Sequence, residues 1–178
     1  MNTKIINNIQ IQLLESTKKK FSKNYIEKNI IPIIEYIVHT NKKKYLIGGS
    51  QGIGKSTLIK VLKKNIEKYY KKKILTLSLD DYYLGKKERS KLSKKIHYLF
   101  KTRGVPGTHD VIKLQRNITE FEKSKYPISI PIFDKFTDDK SKKIRKEKNK
   151  KDILILEGWC CGCPSLEKNF LNKNLNKL

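Results

Sequence analysis

The sequence predicts an α/β domain with three layers, in which a mostly parallel sheet lies between two layers of helices. Three apolar segments of strand length predict the sheet: residues 45–47, 74–79 and 153–156. Segments with apolar residues at helical spacing follow the first two strands, so that strand and helix alternate along the chain. The 178 residues suffice for one such domain with its own core.

Residues 1–40 are expected to form a helical extension that packs on the domain, which comprises residues 41–178. Isoleucines recur in the extension at helical spacing: Ile26, Ile30, Ile33 or Ile34, and Ile37. Pro32 suits the first turn of a second helix after a break, because its missing N–H needs no partner there.

The later part of the chain is expected to contain two further helices and an exposed loop. The first helix is rich in lysine and is expected to turn three apolar residues inward: Leu92, Ile96 and Leu99. Asp110 is typical of the N-cap of the second helix. Residues 128–133 can be extended, although Pro131 argues against a central strand because it cannot donate to the ladder. The charged residues 141–151 are expected to form a solvated loop.

The net charge of +24 suggests a polyanionic partner, but the type of basic residue argues against nucleic acid. Of the 41 basic residues only four are arginines, which readout of base edges favours: Arg89, Arg103, Arg116 and Arg145. The abundant Lys, Ile, Asn and Tyr are residues of A/T-rich codons. Compositional drift, with the lysines as solvated surface, is therefore the preferred interpretation, and polyanion binding is the alternative.

No segment predicts a membrane or secreted protein. The longest apolar stretches, residues 30–34 and 153–156, are far shorter than the roughly 18 residues that span a bilayer. The N-terminus lacks the continuous apolar core of a secretory signal. Three cysteines lie in one loop and form no disulfide framework: Cys160, Cys161 and Cys163. A cytoplasmic location is expected.

Residues 49–56 read Gly-Ser-Gln-Gly-Ile-Gly-Lys-Ser and match the phosphate-binding pattern G-x-x-x-x-G-K-[ST] at every specified position. The glycines let successive backbone N–H groups approach a phosphate, and the following helix adds the positive end of its dipole. Lys55 would reach the β- and γ-phosphates, and the Ser56 hydroxyl would bind Mg²⁺. The motif predicts a P-loop NTPase fold with an ATP site formed by Gly49, Ser50, Gln51, Gly52, Ile53, Gly54, Lys55, Ser56 and Thr57.

Acidic residues follow the second and third apolar segments, at the sheet edge where open α/β sheets bind ligands. Asp80 and Asp81 end the second segment, where a carboxylate can accept the proton of an attacking hydroxyl or help to hold a metal. Glu157 ends the third and takes the place of an indirect Mg²⁺ ligand. The alternatives are an acidic surface turn and an ordinary strand-end acid.

Residues 103–110 form a stiff turn that contains Arg103, His109 and Asp110. A guanidinium, an imidazole and a carboxylate together suit recognition of a substrate that bears a carboxylate or a hydroxyl. A loop that caps the next helix explains the same spacing equally well.

Together, these segments resemble the branch of P-loop kinases that contains uridine kinase, phosphoribulokinase and pantothenate kinase, and most of all the D-glycerate 3-kinase-like family. The order and spacing match from about residue 32 to residue 159. The resemblance rests on five segments: Gly49–Ser56, Ser78-Leu79-Asp80-Asp81-Tyr82-Tyr83, Arg103–Asp110, Pro131-Ile132-Phe133-Asp134-Lys135 and Leu156-Glu157-Gly158-Trp159-Cys160.

The resemblance implies transfer of the γ-phosphoryl group of ATP to an alcohol, with Asp80 as the base and Lys55 as the second catalytic residue. It implies D-glycerate as the acceptor, held by Asp80, Tyr83, Arg103, His109, Asp110, Asp134 and Lys135. Arg103 or Lys135 would pair with its carboxylate, and Asp110 would take a hydroxyl. Open alternatives are another acceptor (a nucleoside, pantothenate or a sugar phosphate), a basic P-loop protein that acts on nucleic acid, and an inactive fragment.

Members of this family usually continue well beyond the Glu-Gly-Trp-Cys segment, into a lid with an arginine, an adenine-contacting loop and at least one more strand. Here no arginine follows Glu157, and Asn176-Lys177-Leu178 resembles the stretch that precedes the lid. The C-terminal strand and the lid are therefore expected to be missing, which leaves the activity of the 178-residue chain open.

Overall fold

A computed structural model describes residues 2–164 of the chain. Its helices are Asn2–Thr17 (α1), Lys23–Asn29 (α2), Ile31–His39 (α3), Lys55–Tyr69 (α4), Lys86–Lys95 (α5) and Val111–Glu122 (α6). Its strands are Lys44–Gly48 (β1), Ile74–Ser78 (β2), Ile128–Asp134 (β3), Asp139–Glu147 (β4) and Ile153–Gly158 (β5). Two short 3-10 helices complete the described elements: Leu79–Tyr82 and Tyr98–Lys101.

The three strands predicted from apolar segments form one parallel sheet in the order β1-β5-β2. The central strand β5 is buried on both faces, which explains its unbroken apolar sequence. Glu157 lies opposite Ile47 of β1 and Ser78 of β2 in the strand register. The carboxyl ends of all three strands therefore meet at one edge of the sheet.

The sheet lies between two hydrophobic clusters, which confirms the predicted three-layer architecture. Helices α1 to α4 contribute to the first cluster, together with Ile153 and Ile155 of β5. Helix α6, the first 3-10 helix and β3 contribute to the second, together with Leu154 and Leu156. Alternate residues of β5 thus face opposite layers, as strand geometry requires.

The predicted extension is helical, and its isoleucines lie in the same cluster as α4. Ile26, Ile34 and Ile37 are at most 2% exposed, and Pro32 occupies the first turn of α3. A buried polar contact also joins α1 to α4, because Asn65 accepts from Asn8 at 2.9 Å. The extension therefore packs against α4, the helix that follows the predicted phosphate-binding loop of residues 49–54 (the phosphate loop).

The prediction of a solvated loop over residues 141–151 is wrong for most of that segment. Strand β4 pairs antiparallel with β3 in a separate two-stranded sheet. The strand is charged because much of it faces solvent, so it lacks the apolar residues that would have revealed it. Pro131 lies in this peripheral hairpin rather than in the parallel sheet, in agreement with the argument from its missing N–H.

The expected inner face of the lysine-rich helix is wrong for two of its three residues, since only Leu92 lies within the helix and is half-buried. Helix α5 ends at Lys95, and Ile96 and Leu99 lie beyond it, 61% and 46% exposed. The buried residue of α5 is Arg89, which is 0% exposed. The charged side chain faces inward because it pairs with Asp138 of the hairpin, which replaces the apolar contact that the spacing suggests.

In the described part of the chain, no helix has both the length and the apolar character that a membrane span requires.

Candidate active site

A cleft of about 920 Å³ opens at the carboxyl edge of the parallel sheet. Its volume lies at the upper end of the range for small-molecule sites. The phosphate loop, the ends of β2 and β5, residues 103–104 and the tip of the β3–β4 hairpin line it. The lining residues are Ser50, Gln51, Gly52, Gly54, Lys55, Ser56, Thr57, Ser78, Asp80, Tyr83, Arg103, Gly104, Lys135, Glu157, Gly158 and Trp159.

The loop between β1 and α4 has the conformation that its glycines permit. Gly52 and Gly54 have φ values of 81° and 98°, a region that other residues rarely adopt. Lys55 folds back over the loop, and its Nζ donates to the carbonyl oxygens of Gly49 at 2.7 Å and Ser50 at 2.8 Å. The ammonium group therefore sits at the concave side of the loop, where a phosphate would bind.

Ser56 and Glu157 meet beside this loop. The Ser56 hydroxyl lies 2.9 and 3.0 Å from the two carboxylate oxygens of Glu157. Helix α4 supplies the hydroxyl in its first turn, and the central strand supplies the carboxylate at its end. The two predicted metal-binding residues thus present oxygen atoms side by side.

Asp80 faces the same cleft from the 3-10 helix after β2. Its Oδ2 lies 2.7 Å from the Nζ of Lys135, and the two side chains are 33% and 60% exposed. Lys135 belongs to the tip of the hairpin, which is more than 50 residues away in the sequence. The ion pair holds a carboxylate at the cleft wall across from the phosphate loop.

Arg103 adds a second cation to this wall. Its Nη1 donates to Oδ1 of Asp138 at 2.8 Å and to the carbonyl oxygen of Lys135 at 3.3 Å. The guanidinium also lies 5.7 Å from the centre of the Phe133 ring. Arg103 and Lys135 therefore form a basic edge to the cleft, on the side of the hairpin.

Tyr83 lines the cleft, and His109 packs behind it. The two rings are stacked, with centres 4.1 Å apart and planes inclined by 26°. Hydrogen bonds pin the surrounding backbone, since Leu84 N donates to Thr108 O at 2.8 Å. The Nε2 atom of His109 is buried without a hydrogen-bond partner among the described residues. Burial lowers the pKa of His109, while the nearby Asp80 acts in the opposite direction.

The lowered pKa of His109 predicts a loss of stability in mild acid. The folded state binds fewer protons than the unfolded state near the ordinary pKa of 6.5, so stability falls as the pH drops through that value. The free energy of unfolding should decrease by at most about 1.4 kcal/mol per pH unit from this group. Urea denaturation of the wild type and His109→Phe at pH 7.5 and 5.5 measures the difference, and an equal pH dependence in both proteins would contradict the prediction.

Two of the predicted acceptor-binding acids make local hydrogen bonds. Asp110 caps helix α6, because its Oδ1 accepts the Lys113 N–H at 3.0 Å. Asp134 accepts the Phe136 N–H at 2.9 Å at the start of the hairpin turn. Neither belongs to the cleft lining, and neither do Gly49 and Ile53 of the predicted nucleotide site. The acceptor-binding roles of Asp110 and Asp134 stay predictions.

Sequence reasoning did not assign several residues that line the cleft. Trp159 follows Glu157 at the end of β5 and is 40% exposed, and Ser78 ends β2. Gly104 lies beside Arg103. The position of Ser78 and Trp159 next to strand-end acids is the signal that could have found them.

Comparison with known proteins agrees with this geometry. The chain is 36% identical over 140 residues to the protein described as "Probable ATP-dependent kinase TDA10" of Saccharomyces cerevisiae, covering 71% of this chain and 48% of that protein. It is 26% identical over 140 residues to the pantothenate kinase of Bacillus subtilis, covering 77% and 43%. The structure of a D-glycerate 3-kinase from Cryptococcus neoformans matches with a TM-score of 0.62 and 26% identity, covering 96% of this chain and 56% of that one.

The chain therefore has the fold of the P-loop kinases. The predicted resemblance to the branch that includes pantothenate kinase and D-glycerate 3-kinase is confirmed. The chain spans about half the length of the curated relatives that it matches. No model of a known protein family matches it. The predicted resemblance of residues 176–178 to the stretch before a lid lies outside the described residues.

Proposed function

We propose that the chain forms the nucleotide-binding and phosphoryl-transfer part of an ATP-dependent kinase that acts on a hydroxyl of a small metabolite. One observation carries the proposal: Lys55, Ser56, Asp80 and Glu157 line the same cleft. Their side chains come from three separate segments, the start of α4, the 3-10 helix after β2 and the end of β5, which the parallel sheet brings to one edge. Relatives described as kinases support the same reaction class.

The phosphate loop would hold the triphosphate of ATP. Its backbone N–H groups and the N-terminus of α4 would face the phosphates, and Lys55 would exchange its two carbonyl contacts for phosphate oxygens. Phosphate oxygens stabilise an ammonium group more than two neutral carbonyl oxygens do, because hydrogen bonds between charged groups are stronger. The loop geometry thus supports ATP as the donor.

The residues around Ser56 suit Mg²⁺. This ion prefers oxygen ligands and usually binds through one or two protein groups together with substrate phosphates and water. The Ser56 hydroxyl would bind it directly, and Glu157, 2.9 Å from that hydroxyl, would hold a water ligand. Bound Mg²⁺ would neutralise charge on the phosphates during transfer.

Asp80 is the group in the cleft best placed to accept the proton of the acceptor hydroxyl. Phosphoryl transfer depends chiefly on positioning and on charge stabilisation, with a carboxylate orienting the nucleophile. The ion pair with Lys135 fixes the carboxylate, whose Oδ2 lies 2.7 Å from the Nζ of Lys135 on the same wall of the cleft. A hydroxyl bound between Asp80 and the phosphate loop would be aligned for attack.

D-glycerate is the acceptor we propose. The basic edge formed by Arg103 and Lys135 suits a carboxylate, and the wall offers Asp80 for a hydroxyl. The structural similarity to a D-glycerate 3-kinase supports this choice. Pantothenate is the second candidate, because it also bears a carboxylate and because several relatives are pantothenate kinases.

A panel of acceptors tests the proposal. ADP release from MgATP would be measured with glycerate, pantothenate, uridine and a sugar phosphate, with glycerol as the matched acceptor that lacks a carboxylate. We expect release with glycerate and at least about tenfold less with glycerol, the loss typical of one charge-assisted contact. Equal rates with glycerate and glycerol would contradict a carboxylate-binding edge, and no release with any acceptor would contradict the function of this chain.

A further inference from the structure

The hairpin tip contains a carboxylate that two arginines share. Asp138 receives Nη2 of Arg89 at 2.8 Å on Oδ2 and Nη1 of Arg103 at 2.8 Å on Oδ1. Arg103 lines the cleft, whereas neither Asp138 nor Arg89 does. A buried guanidinium, a carboxylate and a cleft guanidinium therefore form a chain that leads from α5 to the site.

Arg89 is the fixed end of this chain. Its side chain is 0% exposed, and Nη2 also donates to the Asp138 carbonyl oxygen at 2.6 Å. Its Nε and Nη1 are buried without hydrogen-bond partners among residues 2–164. A buried guanidinium that is only partly paired is costly, so its charge depends on Asp138 for compensation.

The backbone around Asp138 is held in place as well. Asp138 has a φ of 54°, which a residue other than glycine rarely adopts. Its neighbour Asp139 accepts the Lys86 N–H at 2.9 Å, and Lys140 lies 2.7 Å from Glu88. Three consecutive residues of the hairpin thus contact the first turn of α5. These contacts hold the tip of the hairpin against helix α5.

We propose that Asp138 is a positioning residue that orients the guanidinium of Arg103 in the cleft. The inference rests on the proposed function, because it assigns Asp138 a role in acceptor binding through Arg103. The Nη1 atom of Arg103 makes both of its hydrogen bonds to the protein. Its Nε and Nη2 atoms make no hydrogen bond within the described structure. These N–H groups are the ones that a carboxylate or a phosphate would engage.

Electrostatic repulsion explains why Asp138 is needed between Arg89 and Arg103. Two guanidinium groups lie within 6 Å of the Phe133 ring, one from Arg89 at 5.8 Å and one from Arg103 at 5.7 Å. Without Asp138, they would repel each other next to a third cation, Lys135. Partial burial raises the pKa of Asp138, but its two arginines outweigh this and lower the pKa overall. The carboxylate therefore keeps its charge throughout the neutral range.

The first test measures the orientation of Arg103 without any substrate. Phenylglyoxal modifies accessible guanidinium groups, and peptide mass spectrometry would follow Arg103 separately from Arg116, which is exposed outside the cleft. In Asp138→Asn, we expect Arg103 to react about tenfold faster, as loss of one charge-assisted contact implies, while Arg116 reacts at its original rate. An unchanged Arg103 rate in a folded Asp138→Asn protein overturns the proposal.

The second test uses kinetics with the acceptor. Asp138→Asn should raise the acceptor KM about tenfold and leave the KM for ATP unchanged, and it should add nothing in an Arg103→Ala background. Asp152→Asn is the matched control, because Asp152 lies at the opposite edge of the sheet and caps Lys73 N at 2.7 Å. Additive effects of the two substitutions, or equal changes in both KM values, overturn the positioning role.

Stability and function can be separated in these experiments. If Asp138→Ala leaves the buried Arg89 without a compensating charge and the protein unfolds, Arg89→Met is added to the variant. The double variant removes both partners of the ion pair and restores a testable protein. The combination should still show fast modification of Arg103, and slow modification would overturn the proposal. If the wild type turns over no acceptor, the proposed function fails, while the modification rates still decide the role of Asp138.

Discussion

Lys55→Ala is expected to reduce the affinity for MgATP by about two to three orders of magnitude, and any turnover with it. The Nζ of Lys55 lies on the concave side of the loop, 2.7 Å from Gly49 O, and no neighbouring cation of the loop can replace it. Alanine suits a helix start, so the fold should survive. Isothermal titration with MgATP would measure the change.

Lys64→Ala is the matched control, because Lys64 is an exposed lysine of the same helix. It changes the net charge equally but lies away from the loop. Both variants should keep the wild-type unfolding transition. Nucleotide affinity that falls equally in both variants would show that overall charge, rather than the Lys55 contact, governs binding.

Asp80→Asn is expected to retain ATP affinity and to lose about two to four orders of magnitude in kcat for phosphoryl transfer. Asparagine preserves the shape of the side chain but cannot accept a proton from a hydroxyl. Loss of the charge also removes the partner of Lys135, which lies 2.7 Å away. Single-turnover measurement of product formation, together with nucleotide titration, separates the chemical step from binding.

Lys135→Met is the control for Asp80→Asn, because it breaks the same ion pair but leaves the carboxylate in place. A base role requires that kcat falls much further in Asp80→Asn. Similar losses in the two variants would mean that the ion pair, and not proton transfer, is what the reaction needs.

The parts of the fold that could be predicted are those whose physical causes are local. The strands β2 and β5 are apolar because both faces are buried, and the glycine pattern of residues 49–54 requires a backbone that few other folds use. The N-cap role of Asp110 could also be predicted, since its carboxylate contacts a backbone N–H in the first turn of α6. The placement of Asp80 near Glu157 follows from the parallel sheet itself.

The parts that could not be predicted depend on contacts distant in sequence. Strand β4 is charged on both faces, and only its pairing with β3 makes it a strand. In the sequence, Arg89 resembles a surface residue of a lysine-rich helix, because its ion pair with Asp138 forms only in the folded protein. The contact of Asp134 with the Phe136 N–H could not be predicted either, because it depends on the conformation of the hairpin turn. Composition cannot distinguish these roles.

The strand order has a consequence for how the protein is made. In the parallel sheet, β1 and β2 are not hydrogen-bonded to each other, and both depend on β5, which is translated last of the three. While the nascent chain leaves the ribosome, the phosphate loop therefore lacks its neighbouring strand until residue 158 has emerged. Nucleotide binding should appear abruptly during synthesis, and ribosome-bound chains that stop before β5 should have no ability to bind ATP.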